Sequence, residues 1–329
     1  MLRFGLLGAG RIGQIHGRNA SASPKAELIA IADPFPKAAE SLAKATGAEI
    51  REIDAIFSSK DIDAVMICTP TTTHADFIER AAKAGKAIFC EKPVDLDAKR
   101  VAKTLKVVEQ TGVTLMVGFN RRFDANFGAL KARIDEGVVG NVELVTILSR
   151  DPGAPPVSYI ATSGGLFRDM MIHDLDMARF LLGEEPIEVH AVGSSIVDPE
   201  IGKAGDVDTA AVLLKTASGK ICQISNSRRA TYGYDQRIEV HGSKGLLTAG
   251  NVHETTVKFA SKSGVSADPV QNFFLERYEV AYRNEMNAFI DAVINKTPAN
   301  PSGFDGLQAL VLADAAQKSH ETGKAVRLG

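Results

Sequence analysis

Acid–base side chains recur at helical spacing between residues 164 and 176. On a continuous helix Asp169, His173 and Asp176 fall within about 60° of one another, opposite an apolar face. A carboxylate four residues before a histidine can hold one ring nitrogen, which fixes the tautomer and leaves the other nitrogen able to take a proton near neutral pH. Two alternatives exist: a solvated helix face with an Asp–His pair, and a metal site, for which the stretch lacks a fourth ligand.

The N-terminal stretch carries a glycine pattern that suits a dinucleotide. An apolar run over residues 4–7 passes directly into Gly8-x-Gly10-x-x-Gly13, which is typical of a strand that feeds a helix. Gly8 allows a tight turn, Gly10 lets the backbone approach a pyrophosphate, and Gly13 lets the helix pack closely on the strand. The phosphates then face unpaired N–H groups at the helix N-terminus. The alternative is a plain glycine turn without a ligand.

Asp33 strengthens the nucleotide interpretation. It ends a second apolar run about 20 residues beyond Gly13, where a carboxylate accepts hydrogen bonds from an adenosine ribose. A 2′-phosphate there would meet a like charge, so the sequence predicts NAD as the cofactor. The residues of this stretch that are predicted to bind it are Gly8, Gly10, Arg11, Ile12, Gly13 and Asp33.

Polar residues also follow the next predicted strands, and ligands bind beyond the carboxyl ends of parallel strands. Each of these segments has a simpler alternative. The threonines of residues 69–74 can cap the following helix, Lys92 can be solvated ahead of a proline that starts a helix, and Arg121 and Arg122 can be surface charges. The cofactor contacts predicted here are Thr69, Pro70, His74, Glu91 and Lys92.

The hydrophobic pattern predicts the elements that position these residues. Over residues 1–120, continuous apolar runs alternate with helical stretches, which indicates a doubly wound α/β Rossmann domain. Over residues 121–329, several runs alternate apolar and polar residues, which predicts an α+β domain with a mostly antiparallel open sheet. Residues 151–159 are predicted to form a loop or lid, and two long helices are predicted at residues 273–294 and 305–321.

Composition limits the possible partners. The 329 residues exceed one typical domain, and contents of 45% apolar and 24% charged residues are typical of soluble globular proteins. A net charge of −2 gives no basis for a nucleic-acid or membrane partner. Three cysteines without a C-x-x-C pair argue against a disulfide framework and suit a reducing cytoplasm. No apolar run reaches the roughly 18 residues of a membrane span, and the N-terminal run is too short for a signal peptide.

The motifs together resemble those of the glucose–fructose oxidoreductase/inositol dehydrogenase (Gfo/Idh/MocA) family. The resemblance extends over essentially the whole chain. It is carried by Gly8-x-Gly10-x-x-Gly13, Glu91-Lys92-Pro93 and Asp169-x-x-x-His173-x-x-Asp176. The inositol branch of the family is favoured by residues 117–124, Arg150-Asp151-Pro152 and Tyr232-Gly233-Tyr234-Asp235.

The resemblance implies roles for the site residues. Lys92 contacts the substrate and the nicotinamide region, His173 is the general base, and Asp169 supports it. The implied substrate contacts are Asp176, Arg122 and Tyr234. The resemblance also implies a cytoplasmic homotetramer that assembles through the open sheet face of the second domain.

The expected reaction is NAD-dependent oxidation of a cyclic polyol, with myo-inositol converted to 2-keto-myo-inositol. His173 removes the hydroxyl proton, Lys92 stabilises charge on that oxygen, and no metal is expected. The alternatives are a dehydrogenase of another inositol isomer or of a sugar, and a nicotinamide-sensing protein without turnover.

Overall fold

The chain is divided into two compact units. The computed structural model describes residues 1–329, apart from the side chain of residue 161. Unit 1 comprises Met1–Phe123 and Ala281–Leu310, and unit 2 comprises Asp124–Val280 and Val311–Gly329. The return of the late segment to unit 1 departs from the predicted division, which assigned all residues after 120 to the second domain.

Unit 1 is built on a parallel sheet. Its strands are β1 (Leu2–Leu7), β2 (Ala26–Ala32), β3 (Glu49–Ile50), β4 (Ala64–Ile67), β5 (Ala87–Glu91) and β6 (Leu115–Gly118). They lie in the order β3-β2-β1-β4-β5-β6, and every neighbouring pair is parallel. The strand order reverses between β1 and β4, the switch point at which doubly wound sheets bind ligands. The predicted α/β Rossmann fold is confirmed.

Helices alternate with these strands along the chain. They are α1 (Arg11–Ala22), α2 (Pro36–Thr46), α3 (Ile53–Ser58), α4 (His74–Lys83) and α5 (Ala98–Thr111). Every residue of β4, β5 and β6 is buried, as expected for parallel strands that are covered on both faces. The continuous apolar runs of the sequence therefore mark the strands correctly.

Unit 2 contains a mixed, mostly antiparallel sheet. Its strands and those of a separate hairpin are β7 (Val142–Arg150), β8 (Pro186–Ser194), β9 (Thr209–Thr216), β10 (Ile221–Ser227), β11 (Asp235–Gly242), β12 (Gly245–Ala249), β13 (Lys258–Ser261), β14 (Gly264–Ala267) and β15 (Val326–Arg327). The sheet order is β12-β11-β7-β10-β9-β8-β15, with β13 and β14 paired separately. The β7–β10 pair is parallel and the others are antiparallel. The predicted α+β class is confirmed.

Short helices connect the strands of unit 2. They are α6 (Ala125–Asp135), α7 (Val157–Ser163), α8 (Gly165–Asp169), α9 (Ile172–Leu182), α10 (Pro199–Lys203) and α11 (Phe274–Arg277). The predicted loop at residues 151–159 is therefore shorter than expected, because α7 begins at Val157. The expected continuous helix over residues 169–176 is wrong, because α8 ends at Asp169 and α9 begins at Ile172.

The last two helices, α12 (Glu279–Asn295) and α13 (Gly303–Thr322), cross the boundary between the units. Residues 281–310 belong to unit 1 because Met286, Phe289 and Ile290 are buried in its core. The Phe289 ring lies 5.9 Å from that of Phe4 and 5.7 Å from that of Phe89, between centroids. None of the described helices is long and apolar enough to cross a membrane.

Candidate functional site

The glycine motif forms the predicted turn between β1 and α1. Gly8 has φ of +87°, and a side chain there would meet the Cys68 carbonyl oxygen at 2.6 Å. A Cβ on Gly13 would lie 2.0 Å from the Gly8 carbonyl oxygen, so the helix packs directly on the turn. Among the described residues, none beyond Gly10 and its chain neighbours places an atom within 4 Å of the Cβ position of Gly10. The backbone is therefore open where a pyrophosphate would approach.

The N-terminus of α1 supplies donors for such a group. Gly10 is the N-cap and accepts the first helical hydrogen bond from the Gln14 N–H, at 2.9 Å. The N–H groups of Ile12 and Gly13 precede that bond, and the first N–H groups of a helix have no acceptor within it. Because backbone donors and the helix dipole both favour an anion, this turn fits the phosphates of a dinucleotide.

Asp33 lies against the same turn. Its Oδ2 accepts a hydrogen bond from the Ala9 N–H at 2.6 Å, and its Oδ1 accepts one from the Phe35 N–H at 2.7 Å. A carboxylate has about four acceptor positions, so two more hydrogen bonds are possible. The carboxylate is thus fixed beside the glycine turn and keeps capacity for ribose hydroxyl groups.

The polar segment after β4 forms a short 3₁₀ turn over Thr71–Thr73 before α4 begins. Thr73 Oγ1 donates to the Pro70 carbonyl at 2.8 Å, and it lies 2.6 Å from Thr69 Oγ1. Its side chain makes no hydrogen bond that caps α4. The alternative in which the threonines cap the following helix is therefore wrong.

His74 is buried and connects two segments of the site. Its Nε2 lies 2.7 Å from the Thr69 carbonyl oxygen, and its Nδ1 lies 2.8 Å from that of Pro93. Burial lowers the pKa of His74, although both carbonyls raise it. A neutral ring has one N–H and donates to one carbonyl at a time. Both ring nitrogens face backbone carbonyls, so His74 is better placed to hold the segments at Thr69 and Pro93 together than to make the predicted direct contact with the cofactor.

Lys92 lies in a turn rather than before a helix. It follows the last residue of β5, and the Lys92–Pro93 peptide bond is cis. Helix α5 begins only at Ala98, where the Asp97 side chain accepts the Lys99 N–H at 2.8 Å. The alternative in which Pro93 starts the helix is therefore wrong. The half-buried Lys92 side chain stays a candidate for the chemistry of the site.

Two buried side chains that the sequence analysis missed lie near Glu91. His16 on α1 is fully buried, and its Nε2 lies 2.6 Å from Glu91 Oε1. Glu285 on α12 is also fully buried, and among the described residues neither of its carboxyl oxygens has a hydrogen-bond partner. Burial raises the pKa of Glu285 well above its ordinary value, and the charge of Glu91 raises it further. Burial without a hydrogen-bond partner in the described part of the chain therefore favours the protonated, uncharged form of Glu285.

A protonated Glu285 predicts a pH-dependent gain in stability for Glu285→Gln. Above the ordinary pKa of 4.5, the unfolded chain releases a proton that the folded chain keeps. Wild-type stability is then lost with rising pH at about 1.4 kcal/mol per unit, until the folded carboxyl group also titrates. Glutamine does not titrate, so thermal denaturation from pH 5 to 8 should show the Tm of the variant increasing relative to wild type.

Glu279→Gln is the matched control, because Glu279 is an exposed carboxylate on the same helix. It should show no such divergence from wild type. Parallel curves of Tm against pH for Glu285→Gln and the wild type would mean that Glu285 is ionised in the folded protein.

Arg121 and Arg122 are not surface charges, so that alternative is wrong. Arg121 is buried, and Arg122 donates from Nη2 to Asp305 Oδ1 at 2.9 Å and from Nη1 to Asn300 Oδ1 at 2.7 Å. Burial alone would raise the pKa of Asp305, but the Arg122 charge and hydrogen bonds from Ser302 hold it at about 2. This ion pair lies within unit 1. The predicted contact of Arg122 with substrate stays a prediction.

The acid–base residues of unit 2 lie on two helices. The N–H groups of Met170 and Met171 both bond the Leu166 carbonyl, at 3.1 and 2.9 Å, which widens the last turn of α8 and ends it. Asp169 therefore closes α8, where its Oδ1 accepts the Tyr159 hydroxyl at 3.2 Å. His173 lies in the first turn of α9. The helical-wheel argument thus fails for Asp169, and its support of His173 stays a prediction.

Asp176 is buried, with 1% of its surface exposed. The alternative of a fully solvated helix face is therefore wrong. Its Oδ1 lies 3.8 Å from Nη1 of Arg179, which also forms an ion pair with Glu185. Its predicted contact with substrate hydroxyl groups is untested.

A buried polar network that the sequence analysis missed supports α9. Asp174 follows His173 and is fully buried, and its Oδ2 accepts a hydrogen bond from Asn226 Nδ2 at 2.9 Å. Asn226 lies in β10. On the neighbouring strand β7, Ser149 Oγ accepts a hydrogen bond from Gln236 Nε2 of β11 at 3.0 Å. The first turn of α9 is thereby fixed to the sheet. The sequence signal that could have revealed this network is Asp174, a charged residue within the apolar stripe of a helix.

Two stretches that carry the family resemblance lie together in unit 2. Arg150 at the end of β7 donates to the Tyr232 hydroxyl at 3.1 Å, and that hydroxyl donates to Asp235 Oδ2 at 2.6 Å. Tyr234 is buried, and its ring meets that of Tyr278 edge to face. Among the described residues, no group of three or more His, Cys, Asp or Glu side chains is arranged to hold a metal ion.

Comparison with known proteins shows a full-length match. The model described as "Oxidoreductase family, NAD-binding Rossmann fold" matches residues 2–119, and that of "Oxidoreductase family, C-terminal alpha/beta domain" matches residues 131–328. The inositol 2-dehydrogenase of Rhizobium meliloti is 60% identical over 318 residues, which cover 97% of this chain and 96% of that protein.

Solved structures agree with this assignment. A myo-inositol dehydrogenase from Corynebacterium glutamicum has a TM-score of 0.96 at 45% identity, covering 100% of this chain and 99% of that one. A scyllo-inositol dehydrogenase from Lactobacillus casei, solved with NAD(H) and scyllo-inositol, has a TM-score of 0.92 at 32% identity, covering 99% of each chain. The chain therefore belongs to the Gfo/Idh/MocA family of oxidoreductases, with an N-terminal NAD-binding Rossmann domain.

Proposed function

We propose that this protein is an NAD-dependent inositol 2-dehydrogenase that converts myo-inositol to 2-keto-myo-inositol. The observation that carries the proposal is the 60% identity to an inositol 2-dehydrogenase over 97% of the chain. Similarity of this extent includes both the cofactor-binding and the C-terminal domain. The second candidate, a scyllo-inositol dehydrogenase, is favoured by the relative solved with that substrate.

The reaction uses a base and a fixed positive charge. His173 takes the proton of the hydroxyl group that is oxidised, and Asp169 fixes the tautomer of His173. The Lys92 ammonium group stabilises the negative charge that develops on the same oxygen. Bound NAD would supply the acceptor for the hydride of the carbinol carbon, and the products would be a ketone, NADH and one proton. Asp176, Tyr234 and Arg122 bind the remaining hydroxyl groups.

The cofactor is held by the turn after β1 and by the ends of β2, β4 and β5. Gly8, Gly10, Gly13, Arg11 and Ile12 offer backbone to the pyrophosphate, and the open space at Gly10 supports this role. Asp33 binds the adenosine ribose. Thr69, Pro70 and Lys92 contact the nicotinamide half, whereas His74 and Glu91 act through hydrogen bonds to neighbouring groups.

Residues 1–120 serve as the cofactor domain, with residues 281–310 packed within the same unit, and the other residues of 121–329 provide substrate binding and assembly. A homotetramer forms through the exposed face of the second sheet, where Val192, Leu213 and Ile221 are exposed apolar residues. Exposed apolar patches of this kind mark interaction surfaces. The protein works in the cytoplasm, where its free cysteines, Cys68, Cys90 and Cys222, stay reduced.

A substrate panel tests the proposal. The purified protein is assayed with myo-inositol, scyllo-inositol and glucose, each with NAD and NADP, and reduced nicotinamide is followed by absorbance. The highest kcat/KM is expected for myo-inositol with NAD. A higher value for scyllo-inositol would establish the second candidate, and binding of NADH without turnover of any polyol would indicate a nicotinamide sensor.

Asp33→Ser is expected to change the cofactor preference. A 2′-phosphate about 4 Å from the Asp33 carboxylate costs on the order of 1 kcal/mol in water and about 4 kcal/mol in a partly shielded site. The wild type should therefore prefer NAD by several-fold to several-hundred-fold. Exposed Lys37 lowers the upper limit of this preference, because its charge partly neutralises an incoming phosphate. Measurement of kcat/KM should show the variant losing activity with NAD and gaining it with NADP.

Asp33→Asn isolates the contribution of charge, because its amide oxygen can still accept the Ala9 N–H. It should gain activity with NADP and keep more activity with NAD than Asp33→Ser. A wild type that already prefers NADP would contradict the role of Asp33.

A further inference from the structure

The backbone at Lys92 is anchored by the side chain of its neighbour. Glu91 ends β5, and its carboxylate lies 2.6 Å from Nε2 of His16 in a buried environment. Gly118 on the adjacent strand β6 leaves room for it, because a Cβ at Gly118 would come within 3.1 Å of the Glu91 carboxyl carbon. The Glu91 side chain is thus enclosed and held in one conformation.

The ring of His16 is also fixed. It meets the Phe89 ring edge-on at 4.7 Å and the Tyr282 ring at 5.6 Å, between centroids. Among the described residues, Nδ1 of His16 has no hydrogen-bond partner. A proton on Nδ1 would be a buried donor without an acceptor, which is costly, so the N–H is placed on Nε2. His16 therefore donates to Glu91.

His16 lies on the helix that begins with the glycine motif. Gly10 caps α1, and His16 follows within the second turn of that helix. The element whose N-terminus fits the cofactor phosphates is thus hydrogen-bonded to the residue before Lys92. Glu285, a buried carboxyl group without a hydrogen-bond partner among the described residues, completes the cluster, and burial favours its uncharged form beside Glu91.

We propose that His16 and Glu91 are positioning residues that fix the Lys92 turn to the NAD-binding helix. The proposal rests on the role of Lys92 in the proposed function. A displacement of about 1 Å at a catalytic group can lower the rate about 100-fold. Loss of the anchor should therefore affect the chemical step and leave the binding of NAD nearly unchanged.

Two substitutions at His16 separate the hydrogen bond from the packing. His16→Leu removes the donor, whereas the amide nitrogen of His16→Gln can reach the position of Nε2. We expect His16→Leu to lower kcat about 10- to 100-fold with KM values within about 3-fold of wild type. His16→Gln should recover most of kcat. With myo-inositol deuterated at C2, His16→Leu should show a larger isotope effect on kcat than the wild type, because hydride transfer becomes rate-limiting.

Folding is checked by thermal denaturation and by NADH binding. If His16→Leu does not fold, His16→Asn replaces it, because its amide is too short to reach Glu91. Equal kcat values for His16→Gln and the variant that lacks the donor would overturn the proposal, since packing rather than the hydrogen bond would then be responsible.

A double-mutant cycle with Lys92→Met tests whether His16 acts through Lys92. In that background His16→Leu should cost less than about 2-fold in kcat, because there is no ammonium group left to position. Additive losses would overturn the positioning role while leaving the proposed function intact. A Lys92→Met variant with nearly full activity would instead refute the role of Lys92 itself, and the positioning proposal with it.

Discussion

Replacement of His173 by asparagine should lower kcat for inositol oxidation about 10²–10⁴-fold, which is the usual contribution of general acid–base catalysis. Asparagine keeps a polar side chain but cannot take a proton at neutral pH. NADH affinity should stay nearly unchanged, because the glycine motif and Asp33 belong to unit 1, whereas His173 belongs to unit 2.

The pH profile distinguishes loss of the base from general damage. The acid limb of kcat/KM reports the base of the free enzyme, and it should disappear in His173→Asn. His253→Asn, at an exposed histidine of the same unit, should retain wild-type activity. If His173→Asn kept most of its activity, His173 would not be the base, and Asp169 or Lys92 would have to take the proton.

The cofactor half of the site follows from local sequence. The glycine motif, the strand before it and Asp33 lie within residues 1–33. Gly8 supplies the positive φ of the turn and Gly13 packs on the Gly8 carbonyl oxygen, whereas Gly10 leaves the backbone open. Backbone conformation and short-range contacts fix these positions, so the sequence predicts them well.

The break between α8 and α9 could not be predicted in this way. The helical period of the sequence continues across residues 169–176, but the Met170 and Met171 N–H groups share one carbonyl. The preceding turn is constrained at a distance, because the Asp206 carboxylate, 40 residues further along the chain, accepts the Leu166 N–H. Periodicity contains no information about such a contact.

The buried cluster at His16, Glu91 and Glu285 was missed for a related reason. Its members come from three distant segments, and α12 reaches the core of unit 1 only after the chain has passed through unit 2. Each member does leave a local signal, which is a polar residue among buried helix or strand positions. That signal indicates a buried polar group but not its partner.

Two edge strands, β14 and β15, were also missed. β14 is exposed throughout, as is its partner β13, so the buried alternation that predicts a strand is absent. Strand β15 has two residues and exists through pairing with β8, which lies far earlier in the chain. Pairing of this kind depends on the completed sheet.

Lys92→Met should lower kcat about 10²–10³-fold, the usual effect of removing one group that stabilises charge on a reacting oxygen. Methionine has a similar length but no charge, so the turn can keep its shape. Lys92→Arg, which retains the charge at a different geometry, should recover only part of the loss. Steady-state kinetics with myo-inositol and NAD measure both, and Lys99→Met, at an exposed lysine on α5, is the matched control. If Lys92→Met loses less than about 10-fold in kcat, charge stabilisation at the reacting oxygen must come from another group.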